Sequence, residues 1–205
     1  MDILLAVAAF IAAYLLGSIP TAVWAGKILR GIDLREHGSG NAGAANAIRV
    51  LGWKIGVPVL IIDLAKGWLA SMLPVFFRLA EPDTALITNL QIGTGLTAIF
   101  GHIFPLFAGF RGGKGVATAA GAILAIHPVL TLSCLVVFLF VFLIARIVSV
   151  ASMTAGIAFP VLLFTLFDTP SLIFRIFSIF IAIALIFTHR NNIKRLLKGE
   201  EKRLF

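Results

Sequence analysis

Residues 129–144 read VLTLSCLVVFLFVFLI, an apolar stretch without a charged side chain. A helix needs about 20 mainly apolar residues to cross the roughly 30 Å hydrocarbon core of a bilayer. The stretch comes close to that length and predicts a membrane-spanning helix. The only cysteine of the chain, Cys134, lies within it and is expected to be a small apolar side chain.

The rest of the chain has the same character. Of its 205 residues, 60% are hydrophobic and 13% are charged, and the mean hydropathy is +1.06. These values lie outside the range of soluble domains, so lipid is the expected solvent. Residues 1–205 are therefore predicted to form a single integral membrane domain.

Hydropathy predicts an all-α membrane protein, a bundle of seven transmembrane helices. In chain order they are Ile3–Trp24, Ile55–Phe77, Leu86–Phe107, Val116–Ile126, Val129–Ile144, Val150–Phe167 and Leu172–Thr188. The fourth is short, and His127-Pro128 is expected to turn the chain sharply into the fifth.

The distribution of charge orients this bundle, because cytoplasmic loops carry an excess of lysine and arginine. Seven crossings would collect most basic residues on one side: Lys27, Arg30, Arg35, Arg49, Lys54, Arg111, Lys114, Arg146 and the tail from Arg190 to Arg203. The short loops of the other side hold Arg78 and Arg175 with Glu81, Asp83 and Asp168. We expect the N-terminus outside and the C-terminus in the cytoplasm.

The formal net charge of +8 raises the question of the partner. Nucleic acid is not expected, because the sequence has no polar surface domain that could present these charges to bases. Anionic lipid head groups and anionic substrates fit better. Within the second predicted helix, Asp63 and Lys66 are three residues apart and can pair, either as a structural ion pair or facing a substrate.

The longest loop contains GSGNAGAANAIR, residues 38–49. Its glycines permit close backbone approach, so that successive N–H groups can form an anion-binding nest. Ser39, Asn41 and Asn46 add neutral hydrogen bonds, and Arg49 can bind a phosphate through two parallel N–H groups. The alternative is a flexible re-entrant loop of turn residues.

A second segment, GHIFPLFAGFRGGKGVAT at residues 101–118, leads into the fourth predicted helix, whose N-terminus would attract an anion. Arg111 and Lys114 add charge there. An ordinary basic cytoplasmic loop would explain those charges. It would not explain why Gly112, Gly113 and Gly115 surround Lys114. The segment lacks two residues of a nucleotide-binding P-loop, so no nucleotide is expected.

The third group is split between RIVSVAS at residues 146–152 and HRNNIKRLLKGEE at residues 189–201. His189 and Asn192 are three residues apart and share a helical face, which we expect to look into the cytoplasmic mouth of the bundle. The outer basic residues of the tail are expected to lie on anionic lipid: Lys194, Lys198, Lys202 and Arg203.

These three segments resemble the signature motifs of the bacterial acyl-phosphate:glycerol-3-phosphate acyltransferases, seven-span enzymes of the inner membrane. The resemblance covers almost the whole chain. It implies transfer of a fatty acyl group from acyl phosphate to the 1-hydroxyl of glycerol 3-phosphate, giving 1-acylglycerol 3-phosphate and phosphate for phospholipid synthesis. We expect membrane lipids as further partners, no cofactor, no metal ion and a monomer.

The resemblance also implies roles for individual residues. The expected catalytic residues are Ser39, Arg49, Lys114, His189 and Asn192. The expected substrate-binding residues are Asn41, Asn46, Gly112, Gly113, Gly115, Ser149 and Ser152. Glu201 matches a glutamate with a structural role. The sequence departs from the family pattern twice: Ala45 replaces a threonine and removes a hydroxyl contact, whereas Arg111 replaces a lysine and keeps the charge.

Other functions fit less well. A phosphate transporter would use similar loops, but transporter sites lie near the membrane midplane between repeated halves, and no repeat is visible. A CDP-alcohol phosphotransferase needs an aspartate-rich metal motif that is missing. Scattered histidines and few acidic residues argue against a metal site. No histidine is followed five residues later by aspartate, so the His–Asp mechanism of other glycerolipid acyltransferases is not expected.

Overall fold

The structure, a computed structural model, describes residues 2–82, 84–167 and 171–204, and all regular structure in these ranges is helical. The helices are α1 (Ile3–Gly17), α2 (Thr21–Arg30), α3 (Ala44–Leu51), α4 (Trp53–Phe76), α5 (Ala85–Ile103), α6 (Val116–Ile126), α7 (Pro128–Ala145), α8 (Val148–Thr165), α9 (Leu172–Thr188) and α10 (Arg190–Leu197). Short 3₁₀ turns occur at Leu34–Glu36 and Leu106–Ala108. The chain forms two compact units, Met1–Ile126 and His127–Phe205.

The all-helical prediction is confirmed, and each predicted helix has a counterpart. Among the described helices, four are long and apolar enough to cross a membrane, or six if each of two bent pairs forms one span. The remaining apolar helix, α6, has 11 residues. Seven spans, the sidedness of the termini and the single domain stay predictions. Asp83 and Asp168, used to orient the chain, lie outside the described residues.

The first predicted helix, Ile3–Trp24, is broken near its end, because α1 and α2 meet at a bend of 41°. Pro20 caps α2 and has no N–H to continue the hydrogen-bond ladder of α1. The carbonyl of Ile19 instead accepts from the Thr21 amide at 3.0 Å and from Lys66 Nζ on α4 at 2.9 Å. A side chain of the second span therefore satisfies a carbonyl freed by the break in the first.

Small residues set the helix spacing in the first unit. Ala13, Ala70 and Ala98 form a buried cluster between α1, α4 and α5. A methyl group added at Gly67 would meet the Thr118 carbonyl, and one added at Gly121 would meet the Leu64 carbonyl, so α4 and α6 touch backbone to backbone. Lipid offers helices little hydrophobic reason to associate, so close van der Waals packing of this kind must hold the unit together.

Candidate active site

The first polar segment is shaped by the side chain of Asn46, which is only 2% exposed. Its Nδ2 donates to the carbonyls of Leu34, His37 and Asn41, each at 3.0 Å. Its Oδ1 accepts from the Ser39 amide at 2.8 Å. All polar atoms of the side chain thus contact the loop's own backbone, and a hydrogen bond from Asn46 to a substrate stays a prediction.

The other candidates of this segment lie around that anchor. Gly38 has φ +64°, and an added methyl there would meet Asn46 Oδ1, so a side chain at residue 38 would disrupt the anchor. Ser39 follows it, half-buried, and Asn41 lies with its Oδ1 next to Gly43. Asn46 and Arg49 lie on α3, a helix that hydropathy did not predict. Arg49 is half-buried one turn after Asn46, on the same side of the helix.

The loop around Lys114 packs tightly onto the end of α5. The Gly112 amide donates to the Ile103 carbonyl and the Gly113 amide to the His102 carbonyl, both at 3.1 Å. Methyl groups added at these glycines would collide with the His102 carbonyl and with His102 Nε2, respectively. The two amides are therefore engaged with α5, and the substrate-binding role expected of Gly112 and Gly113 stays a prediction.

A buried polar cluster lies beneath this loop. Asp63 and Lys66 on α4 are 1% and 4% exposed, and their Oδ1 and Nζ atoms are 2.9 Å apart, so the predicted pairing is confirmed. Asp63 Oδ1 also accepts from Thr21 Oγ1 at 3.0 Å and lies 3.8 Å from His102 Nδ1. His102 thus lies between the ion pair and Gly113. Its neighbours on both sides restrict how far the ring can move.

The first two segments come together within the first unit through a residue that the sequence analysis did not select. Arg35 reaches from the first loop to carbonyl groups of the second segment at Ala108 and Arg111. The sequence signal was present in the spacing Asp33-Leu34-Arg35, because side chains two residues apart in a turn can pair. Positive-inside topology alone had seemed sufficient to explain Arg35.

In the second unit, His189 stands where α9 ends and α10 begins, at a bend of 56°. It is 2% exposed, and its Nδ1 lies 2.7 Å from the Leu185 carbonyl. Because a carbonyl can only accept, Nδ1 must carry a proton. In the neutral ring, Nε2 is therefore the atom that holds a lone pair.

Glu201 gathers three side chains of the same unit. Its Oε1 accepts from Ser149 Oγ at 2.8 Å and from Asn192 Nδ2, and its Oε2 accepts from Arg195 Nε at 2.6 Å. Burial acts to raise the pKa of Glu201, but the hydrogen bonds from Arg195, Asn192 and Ser149 outweigh it, so that the pKa falls below its usual 4.5. Ser152, one turn further along α8, is also buried.

This geometry predicts how the tail depends on pH. Because the folded-state pKa of Glu201 is lowered, its contribution is fully present above the unfolded-state value of 4.5 and is lost as pH falls through the lower folded value. Glu201→Gln is expected to reduce the free energy of unfolding at pH 7 by about 1.5–3 kcal/mol, the usual range for hydrogen bonds to a charged group. Thermal unfolding of both proteins between pH 7 and pH 3 measures this difference.

The difference should shrink as the pH falls below 4.5. The exposed neighbour Glu200 provides the matched control, and Glu200→Gln should change stability by less than about 0.5 kcal/mol at every pH. A loss from Glu201→Gln that stays constant down to pH 3 would contradict a role for the ionised carboxylate.

Among the described residues, no three His, Cys, Asp or Glu side chains lie together as a metal site would require. The candidates fall into two groups. Ser39, Arg49 and Lys114 belong to the first unit. Ser149, Ser152, His189, Asn192 and Glu201 belong to the second. Four basic residues of the tail are exposed: Lys194, Lys198, Lys202 and Arg203.

A family model and curated relatives match most of the length of this chain. Residues 7–199 match the family model of glycerol-3-phosphate acyltransferase. A glycerol-3-phosphate acyltransferase of Chlorobaculum tepidum is 47% identical over 221 residues, 96% of this chain and 95% of its own length. One of Chlorobium phaeobacteroides strain BS1 is 46% identical over 218 residues, 93% of each chain.

Two crystal structures of PlsY, an integral membrane glycerol 3-phosphate acyltransferase, also match. Its glycerol 3-phosphate form superposes with a TM-score of 0.85 at 41% identity, covering 97% of this chain and 94% of that one. Its lysophosphatidic acid form superposes with a TM-score of 0.83 at 40% identity over the same shares.

Proposed function

The chain belongs to the glycerol-3-phosphate acyltransferase family, and from this membership we propose that it moves a fatty acyl group from acyl phosphate to the 1-hydroxyl of glycerol 3-phosphate. The products are 1-acylglycerol 3-phosphate and phosphate. We further propose that it acts as a monomer, without cofactor, as a multi-pass protein of the bacterial inner membrane with its C-terminus in the cytoplasm.

The observation that carries this proposal is a contact between the two loops that hold the candidate residues Ser39 and Lys114. The loop that holds Ser39 and the loop that holds Lys114 contact each other through Arg35. Both proposed substrates carry a phosphate, which such segments suit. The acyl chain of the donor can meanwhile stay in the bilayer.

The chemistry needs little more than charge stabilisation. Acyl phosphate is an activated mixed anhydride. The 1-hydroxyl oxygen attacks its carbonyl carbon, the bond from that carbon to the phosphate oxygen breaks, and the hydroxyl proton passes to a phosphate oxygen of the substrates. Arg49 and Lys114 are proposed to stabilise the negative charge on the phosphates and the developing oxyanion, and Ser39 to donate a hydrogen bond.

The second unit supplies the other proposed catalytic residues. His189 is proposed to orient the hydroxyl group of glycerol 3-phosphate. Asn192 is proposed to bind substrate, and Ser152 to add a phosphate contact. Glu201 is proposed to hold Asn192 and Ser149 in place, which makes its role structural.

A donor assay tests the proposal. Purified protein is expected to release phosphate from palmitoyl phosphate only when glycerol 3-phosphate is present, with palmitoyl-CoA a poor donor. Glycerol in place of glycerol 3-phosphate is the matched control, since it offers the same hydroxyl group without the phosphate. Absence of release with every acyl phosphate tested would refute the proposal.

The transporter alternative predicts a different result. Proteoliposomes loaded with unlabelled glycerol 3-phosphate would accumulate the labelled compound by counterflow if these loops bound a cargo. The acyltransferase proposal predicts no counterflow.

A further inference from the structure

The guanidinium group of Arg35 joins the first loop to the second. Its Nη1 donates to the Ala108 carbonyl at 2.7 Å and to the Arg111 carbonyl at 3.3 Å. These two carbonyls lie immediately before and after Gly109 and Phe110, which have φ values of +62° and +58°. Glycine adopts such a φ readily, but it is unfavourable for Phe110, which carries a bulky side chain. Arg35 therefore holds both ends of this turn, in addition to the hydrogen bonds that the Ala108 and Phe110 amides donate to the Pro105 carbonyl.

The other side of the guanidinium is equally engaged. Arg35 Nε donates to Asp33 Oδ1 at 2.9 Å and Nη2 donates to Asp33 Oδ2 at 2.7 Å, the two-point geometry that orients both planar groups. Each side chain is 16% exposed. The hydrogen bond from Arg35 holds the pKa of Asp33 well below its usual range, so this carboxylate stays charged at physiological pH. The orientation of Arg35 is thus fixed by four hydrogen bonds from its side chain.

The turn that Arg35 holds leads directly to Lys114. The carbonyl of Arg111 precedes Gly112, and the amides of Gly112 and Gly113 attach the following residues to the end of α5. This loop is bound on one side by the guanidinium of Arg35 and on the other by α5. A lysine at residue 35 could not reproduce this arrangement, because a single ammonium group cannot contact the carboxylate and both carbonyls in one plane.

We propose that Arg35, oriented by Asp33, is a positioning residue for the transfer reaction: it sets the place of the Gly112–Lys114 loop without touching a substrate. This inference rests on the proposed function for the reaction itself. The fixed loop geometry can be measured without any reaction.

The first experiment is hydrogen exchange of the purified protein and its Arg35→Lys and Arg35→Gln variants. Both variants are expected to speed exchange of the Gly112 and Gly113 amides about 10-fold or more, because the loop loses the hydrogen bonds that Arg35 donates to it. The control is Arg30→Gln, which removes an exposed cation at the end of α2 and should leave this exchange unchanged. Unchanged exchange in Arg35→Gln would overturn the inference, whether or not the protein proves to be an acyltransferase.

The second experiment measures turnover of palmitoyl phosphate with glycerol 3-phosphate. Arg35→Gln and Arg35→Lys are expected to lower kcat/KM about 10-fold to 100-fold, since small displacements of reacting groups have effects of this size. In a Lys114→Met background the same changes should lower kcat/KM less than about 3-fold, because Arg35 acts through the position of Lys114. Equal losses in both backgrounds, or full activity despite faster exchange, would overturn the inference. An inactive wild type would refute the proposed function instead and leave the exchange result to decide on positioning.

Discussion

Replacing Gly113 by alanine is expected to lower kcat/KM for acyl transfer by about 100-fold or more while the protein remains folded. The added methyl group would collide with Nε2 of His102. That ring is 6% exposed and has the Asp63–Lys66 pair behind it, so it cannot easily move away. The loop must shift instead. A displacement on the order of 1 Å in a group that aligns reactants can cost about 100-fold in rate.

Two further variants separate this collision from ordinary backbone strain. Gly31→Ala places a methyl group in open space at a glycine with φ +66°, so it carries strain of about 1 kcal/mol without a collision and should keep wild-type kcat/KM. His102→Ala combined with Gly113→Ala should be more active than Gly113→Ala alone, because the shorter side chain makes room for the methyl group. Full activity of Gly113→Ala would show that the contact with His102 does not set the position of the loop.

Breaking the buried ion pair is expected to have a comparably large effect on stability. Asp63→Leu leaves Lys66 buried without its carboxylate partner, and loss of one member of a buried pair typically costs about 3–5 kcal/mol. Replacing both members should cost less than replacing Asp63 alone, because the double variant Asp63→Leu, Lys66→Met buries no charge. Some loss remains, since Ile19 and Thr21 would lose their partners on α4.

The measurement is the free energy of unfolding in detergent micelles for the wild type, both single variants and the double variant. The expected order has the single variants least stable and the double variant between them and the wild type. A double variant whose loss equals the sum of the single losses would contradict the pairing. Activity is a useful second readout, because His102 and the loop above it lie against the same pair.

Much of the architecture could be predicted because hydropathy acts over long stretches. The apolar helices were recognisable as such, and so was the Asp63–Lys66 pair, since charges three residues apart within an apolar helix have few other partners. The break after Gly17 was missed. Pro20 was the sequence signal for this break. Prolines also occur inside unbroken helices of this chain, however, at Pro58 and Pro160. At Pro20 the break is stabilised by a tertiary partner, because Lys66 donates to the Ile19 carbonyl that the break leaves without its helical hydrogen bond.

The polar segments were harder, because residue type alone does not show what a polar group contacts. Asn46 looked like a donor for substrate, yet its amide holds the loop backbone. The glycines around Lys114 were expected to bind substrate, and the structure shows in addition that Gly112 and Gly113 bring the chain close to α5. Arg35 looked like one of many cytoplasmic charges. In each case the missing information was which backbone group the residue contacts, which residue type alone does not contain.

The contact between Lys66 and the bend at Ile19 also bears on biogenesis. When the ribosome has delivered only the first bent pair to the membrane, the Ile19 carbonyl has the Thr21 amide as its partner but not Lys66, and the Thr21 hydroxyl does not yet have Asp63, because Lys66 and Asp63 are still to be synthesised. A polar group without a partner in hydrocarbon is costly. The first hydrophobic segment is therefore expected to wait at the translocon or the interface, and to settle into its bent form only when α4 arrives beside it.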